Sequence, residues 1–256
     1  MRLHGLLLAA GGASRMGAPK LLLPAPEGTL LRRMALLLRQ SVPGEVVVVL
    51  GHEPLLHRRA LEGVRGIRLA VCRSWALGLS ESLKAGLRAL PEGPVLVLAA
   101  DQAGVGPGEL AALQRAFREP GVLSGLKGEA LSPAILGEEA RREVWRIGGD
   151  RGAKGLLLNL GARVVELGPG PWSLDADTWE AYVLLVRTLG WTLPHPALPR
   201  RGPPYPALLR RSPLFRIGTA LLLYGRPGAY TGSLLAERDA LRLLARGAAT
   251  LLREGF

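Results

Sequence analysis

Short apolar runs of strand length recur through the first three-quarters of the chain, at residues 3–9, 46–50, 67–71, 95–99, 134–136 and 164–167. Most are continuous stretches of Val, Leu, Ile and Ala with no polar alternation, as expected for strands covered on both faces. Segments with helical spacing lie between most of them, at 29–40, 54–62, 79–90, 107–118 and 138–147. This alternation predicts an α/β domain with a mostly parallel sheet between helical layers. In such sheets ligands gather at the carboxyl ends of the strands.

The pattern changes near residue 190. Residues 194–213 are rich in proline and arginine and read as an extended linker. Two further helical segments follow, 214–224 and 233–253, separated by Gly225-Arg226-Pro227-Gly228. The expected division is therefore a main domain over 1–190, a linker over 191–213 and a helical C-terminal extension over 214–256. Leucines interleaved with arginines in the last segment predict an amphipathic helix that packs on the main domain, a protein partner or a second copy. A membrane-surface contact is the alternative. Neither helix is long and apolar enough to span a bilayer.

Composition narrows the class. At 256 residues the chain can bury a sizeable core, and its 48% hydrophobic content includes only 5% aromatics, so that core is aliphatic. The single cysteine, Cys72, excludes an internal disulfide and an all-cysteine metal cage, and fits a cytoplasmic protein. Asn159 is the only asparagine, a scarcity that points to a thermophile. No leader peptide is expected from the opening residues. The net charge of +12 is uneven: residues 1–187 carry 23 Lys/Arg against 18 Asp/Glu, and residues 188–256 carry 10 against 3. A mild positive balance in the main domain suits an anionic small molecule, and no interleaved aromatic and basic platform for nucleic acid is present.

The chemistry is concentrated in four places. Leu6-Leu7-Leu8-Ala9-Ala10-Gly11-Gly12 runs from a strand into a glycine turn, and Arg15 and Lys20 follow. A backbone without bulky side chains can bring its N–H groups close to phosphate, and two cations can neutralise a polyphosphate. The sequence is neither G-x-G-x-x-G, since Ala13 and Met16 break it, nor a Walker A loop, since Ala18-Pro19 follow Gly17. The second place, Trp75 to Leu87, opens a helix with Gly78, Ser80 and Ser82, and reads either as a plain helix start or as a site for ribose and base. In the third, an apolar strand ends at Asp101, where a carboxylate implies a cation or a helix cap. The fourth carries Asp175 and Asp177, which on an extended segment point the same way and could complete a hard-cation site with Asp101. The four histidines show no ligand spacing.

The motif L-A-A-G-x-x-x-R-M-G-x-x-K near the N-terminus resembles the nucleotidyltransferases of the glycosyltransferase-A-like fold, and within them the molybdenum cofactor cytidylyltransferase and guanylyltransferase group. The resemblance covers about three-quarters of the chain, judged by motif spacing. It implies a three-layer Rossmann-like domain. It also implies that Leu8, Ala9, Ala10, Gly11, Gly12, Arg15, Lys20, Gly78 and Ser82 bind a nucleoside triphosphate. Asp101 and Asp177 would hold Mg²⁺, with Asp175 the weaker choice, and Arg15, Lys20 and Asp101 would carry catalysis. The implied reaction transfers a nucleoside monophosphate to a phosphate-bearing acceptor of the molybdopterin type, with Ala10 favouring cytidine over guanosine. Four positions depart from the family: Ala103 and Trp179 stand where proline is usual, Ser132 where histidine is usual, and Ala181 where a further acid is usual. Sugar-phosphate or alcohol-phosphate transfer is the alternative reaction, and a non-catalytic nucleotide-binding scaffold the alternative class. Asp150 and Arg151 read equally as acceptor contacts or as helix caps.

Overall fold

The computed structural model describes residues 2–12 and 19–191. Arg15, the expected linker beyond its first residue and the expected C-terminal extension lie outside the described residues. The strands are β1 (His4–Ala9), β2 (Pro24–Ala25), β3 (Gly28–Thr29), β4 (Val46–Leu50), β5 (Ile67–Val71), β6 (Val95–Ala99), β7 (Gly121–Leu126), β8 (Glu129–Leu136) and β9 (Arg163–Glu166). The helices are α1 (Leu30–Ser41), α2 (Pro54–Ala60), α3 (Leu79–Arg88), α4 (Pro107–Ala116), α5 (Glu138–Glu143), α6 (Ala153–Asn159) and α7 (Trp179–Thr188).

Seven strands form one sheet in the order β5-β4-β1-β6-β8-β7-β9, and β2 pairs with β3 apart from it. The pairs β5–β4, β4–β1, β1–β6 and β7–β9 are parallel, while β8 runs antiparallel to both β6 and β7. The mostly parallel sheet expected from the apolar runs is therefore present, with one reversed strand. Successive side chains on a strand face opposite sides, so each central strand feeds two cores. Leu7, Val48 and Leu98 pack with Leu31, Met34 and Leu38 of α1, Leu110 and Leu113 of α4, and Tyr182 and Leu185 of α7. Leu6, Val47, Val49 and Val97 pack on the other face with Leu83 and Leu87 of α3, Ala140 of α5 and Leu157 of α6. The result is a three-layer α/β/α arrangement.

Several expectations are corrected in detail. Strand β7 and the small β2–β3 hairpin did not stand out as apolar runs, and β8 starts five residues before the expected 134. The helix expected over 138–147 breaks after Glu143 into a 3₁₀ turn at Val144–Arg146. Helix α7 opens at a Thr178 cap, with the Thr178 hydroxyl accepting the Ala181 N–H. Among the described residues no helix is long and apolar enough to cross a membrane.

Candidate functional site

The strand order brings the carboxyl ends of β1, β4, β5 and β6 to one edge, and the four stretches singled out in the sequence meet there. The turn after β1 is bound to its neighbours on both sides: Ala10 O accepts the His52 N–H at 2.9 Å, and Leu8 O accepts the Ala100 N–H at 3.0 Å. Leu8 is partly buried, Ala9 and Ala10 are buried, and Gly11 and Gly12 are exposed. A side chain added at Gly11 would meet nothing within 4 Å. The open, bare backbone expected of a phosphate-approaching loop is present at these two glycines.

Lys20 stands at the head of a 3₁₀ turn, Lys20–Leu22, whose Leu21 and Leu22 are buried in the core. With the backbone so anchored, its side chain reaches two segments that are remote in sequence. Its ammonium donates to Asp101 Oδ2 at 2.6 Å and to Asp177 Oδ1 at 2.5 Å. The three side chains are largely buried, at 15%, 24% and 31% exposed. Burial alone would lower the lysine pKa, but attraction and hydrogen bonding to Asp101, then to Asp177, outweigh it and hold the pKa above the ordinary lysine value.

The two acidic segments are also joined through the backbone. The N–H of the buried Ala176 donates to Asp101 O at 3.1 Å, and Asp177 N–H turns back to Asp175 O at 2.9 Å. That turn corrects the extended 175–177 segment expected from sequence. Asp177 meets Lys20 directly, whereas Asp175 keeps an exposed surface. The Asp175 pKa is nevertheless pushed up to about 6, first by desolvation of its carboxyl, then by the charges of Asp101 and Asp177. Lys20 and a hydrogen bond from Gln102 oppose this. Gln102 also donates to Ser132 O at 3.2 Å, while its own amide oxygen is buried without a partner. Asp101 is no helix cap, since the N-cap of α4 is Gly106.

Three carboxylates face one ammonium here, leaving two negative charges once Asp175 is ionised. The residues present fit a hard divalent cation, because the Lys20 ammonium already bridges Asp101 and Asp177 as a cation stand-in. Among the described residues no three or more His, Cys, Asp or Glu side chains are grouped so as to hold a metal ion, and a cation here would rest on the two carboxylates that Lys20 bridges. Magnesium commonly uses one or two carboxylates and completes its shell with water and substrate phosphates.

Gly78 and Ser82 are placed less simply than expected. Gly78 has φ +116° and backs onto the Gly149–Asp150 backbone. The Ser80 N–H donates to Gly149 O at 3.1 Å and the Glu81 N–H to Gly78 O at 3.2 Å. These N–H groups of the helix start are therefore already bonded within the protein. Ser82 is buried, as is Ser80, whose hydroxyl has no partner. The segment docks the start of α3 against the 148–151 turn, where Asp150 and Arg151 are exposed. Ser132 is exposed on β8, and Ala103 is buried with its carbonyl accepting from Arg33 Nε at 3.3 Å.

Sequence spacing missed His52. Its ring meets Trp75 edge-to-face at 5.2 Å, and both rings flank Gly12, with atoms 3.6 and 3.7 Å from where a Gly12 Cβ would lie. The buried His57 donates from Nδ1 to His52 O at 3.0 Å, and desolvation lowers its pKa, which keeps it neutral. No local motif marks His52, because the contact is made across strands β1, β4 and β5.

The chain matches the family described as the MobA-like NTP transferase domain over residues 5–164. A nucleotidyl transferase from Methanothermobacter thermautotroptrophicus is 25% identical, with TM-score 0.63, and the match covers 73% of this chain and 99% of that one. The manganese complex of Rv0371C from Mycobacterium tuberculosis is 22% identical, TM-score 0.60, covering 73% and 100%. Molybdopterin-guanine dinucleotide biosynthesis protein A from Archaeoglobus fulgidus is 18% identical, TM-score 0.55, covering 73% and 98%. No curated protein matches the chain.

Proposed function

Because the chain belongs to the MobA-like NTP transferase family, and is on that ground a nucleotidyltransferase, we propose that it transfers CMP, in preference to GMP, from the triphosphate to a phosphate-bearing acceptor of the molybdopterin type. The observation that carries this reading is the Lys20 ammonium bridging Asp101 and Asp177 beside an open glycine turn. A triphosphate needs a bare backbone, a cation on the protein and carboxylates to share a metal, and these three lie together at the sheet edge. In this reading residues 1–190 form the catalytic unit, a cytoplasmic one, with 191–256 appended through a linker.

Gly11 and Gly12 would approach the phosphates, and Lys20, with Arg15, would gather their charge. Asp101 and Asp177 would hold Mg²⁺, which when bound would offset charge on the α- and β-phosphates. An ionised oxygen of the acceptor phosphate attacks the α-phosphorus in line and forms the new P–O bond. The bond between the α-phosphorus and the bridging oxygen breaks, and pyrophosphate leaves with the electron pair. The acceptor oxygen carries no proton, so no general base is required and catalysis is positioning and electrostatics. The cytidine preference rests on the Ala10 methyl. That methyl is buried, with the position a Gly51 Cβ would take 2.8 Å away, and it carries the resemblance to the cytidine-using members of the family.

Pyrophosphate release tests the proposal. The protein is incubated with Mg²⁺ and each of the four nucleoside triphosphates, without acceptor and with molybdopterin, a sugar phosphate or an alcohol phosphate. Release with CTP and acceptor, exceeding that with GTP, is expected. Release only with a sugar phosphate or alcohol phosphate moves the acceptor class, and none with any pair overturns the enzymatic reading.

A further inference from the structure

We propose that Trp75 and His52 hold the nucleoside end of the triphosphate, Trp75 as the ring that the base lies against and His52 as the residue that positions that ring. The inference rests on the nucleotidyltransferase reading above and names side chains for the nucleoside, which that reading leaves without a ring to meet it.

The sheet order gives the site two unlike flanks. The glycine turn follows β1, which lies between β4 and β6 in the order β5-β4-β1-β6. On the β6 side Lys20 and Asp101 supply the charge that phosphates and a cation need. On the other side His52 follows β4, Trp75 follows β5, and the pair offers rings. Glu53 Oε2 lies 3.9 Å from His52 Nδ1, so a carboxylate stands beside this flank and disfavours phosphate there. A triphosphate laid across Gly11 and Gly12 toward Lys20 leaves its uncharged nucleoside on the ring side.

The local backbone is built to hold these rings. The indole reaches across the strand ends: Trp75 Cβ lies 2.7 Å from where a Gly51 Cβ would be, and Trp75 Cη2 lies 3.7 Å from where a Gly12 Cβ would be. Only a glycine at 51 lets the indole pass. His52 is fixed through its backbone, its N–H donating to Ala10 O at 2.9 Å and its carbonyl accepting from the buried His57 Nδ1 at 3.0 Å. Glu53 then takes φ +46°, an uncommon conformation for a residue with a side chain. So anchored, the imidazole meets the indole at 84° and 5.2 Å, the edge-to-face geometry that aromatic pairs prefer. Trp75 is only partly buried and keeps surface for a base. Stacking tolerates any base, because every base has a π-face. Trp75 therefore adds affinity for CTP and GTP alike, and the choice between them is made elsewhere in the pocket.

The test compares CTP and GTP with inorganic tripolyphosphate, which carries the phosphates without a nucleoside, by calorimetric titration of the full chain in Mg²⁺. Trp75→Leu keeps apolar bulk without a π-face, and Trp75→Phe keeps a ring. The leucine variant should bind both nucleotides about tenfold more weakly than wild type, with tripolyphosphate affinity unchanged within about twofold. The phenylalanine variant should retain most of the nucleotide affinity. His52→Ala should weaken CTP binding by about threefold; His52→Phe, which keeps an edge-on ring, should restore it, and His52→Gln should not. Equal CTP affinity in the two Trp75 variants, or equal loss of CTP and tripolyphosphate, overturns the inference while leaving the nucleotidyltransferase reading in place. Rescue by His52→Gln alone overturns the positioning role of His52. A wild type that binds neither ligand overturns the nucleotidyltransferase reading and the inference with it.

Discussion

Gly78 offers the sharpest structural test, because both its conformation and its surroundings exclude a side chain. Its φ of +116° and ψ of 176° place it in a region used essentially only by glycine, at a cost of about 1–3 kcal/mol for another residue. A Cβ there would also lie 2.3 Å from Gly149 C, 2.4 Å from Gly149 O and 2.7 Å from Asp150 N. All three are backbone atoms, so no rotamer change relieves the overlap, and overpacking adds about 1–3 kcal/mol. Gly78→Ala should therefore cost roughly 2–6 kcal/mol, a fall in Tm of about 5–20 °C for a domain of this size. The hydrogen bond from Ser80 N–H to Gly149 O should break as the 148–151 turn moves off. Gly148→Ala is the control, since a Cβ there meets nothing within 4 Å, and it should melt within about 2 °C of wild type. Melting followed by far-UV circular dichroism reads both variants. If Gly78→Ala melts as wild type does, the docking of α3 on the 148–151 turn is wrong.

Two further perturbations separate electrostatics from packing. The folded Asp175 pKa of about 6 lies above the unfolded value of 3.8, so the native state binds more protons between them. Ionised Asp175 thus weakens the fold, with the deficit growing as pH rises from about 3.8 and complete above about 6. Asp175→Asn should raise Tm by about 1–3 °C at pH 7.5, discounted for the exposed surface, and by less at pH 5. A gain equal at both pH values contradicts the carboxylate crowding. Tyr182→Phe removes a buried hydroxyl that donates to Pro24 O at 2.7 Å and ties α7 to β2. It should lose about 1–2 kcal/mol, a fall of roughly 2–8 °C in the melt, with turnover at 25 °C unchanged; a loss of turnover would place Tyr182 in the site.

The legible part of the fold is the part with uninterrupted apolar runs. Val46–Leu50 and Val95–Ala99 are buried central strands, and their sequences say so without help from context. Strand β7, Gly121–Leu126, was hidden because two glycines and Ser124 interrupt it. Ser124 is tolerated in the core only because its hydroxyl donates to Pro133 O at 2.9 Å on the neighbouring strand. Strand β8 was shortened in the same way by Ser132-Pro133, with Ser132 exposed and Pro133 buried. In the site, Asp101 and Asp177 were legible as carboxylates at apolar strand and helix boundaries. Their joint capture by Lys20 spans 81 and 157 residues of sequence, and no local spacing encodes it. The same holds for His52 and Trp75, which meet Gly12 only through the parallel pairing of β5, β4 and β1.

The central claim is that the Lys20, Asp101 and Asp177 cluster belongs to a nucleotidyl-transfer site. Transfer of label from α-³²P-CTP to molybdopterin, in wild type and Asp101→Asn, tests it most directly. Label should pass to the acceptor in the wild type and fall by about 10²–10³-fold or more in the variant, with circular dichroism showing an unchanged fold. Transfer at the wild-type rate by a folded Asp101→Asn protein would contradict the account.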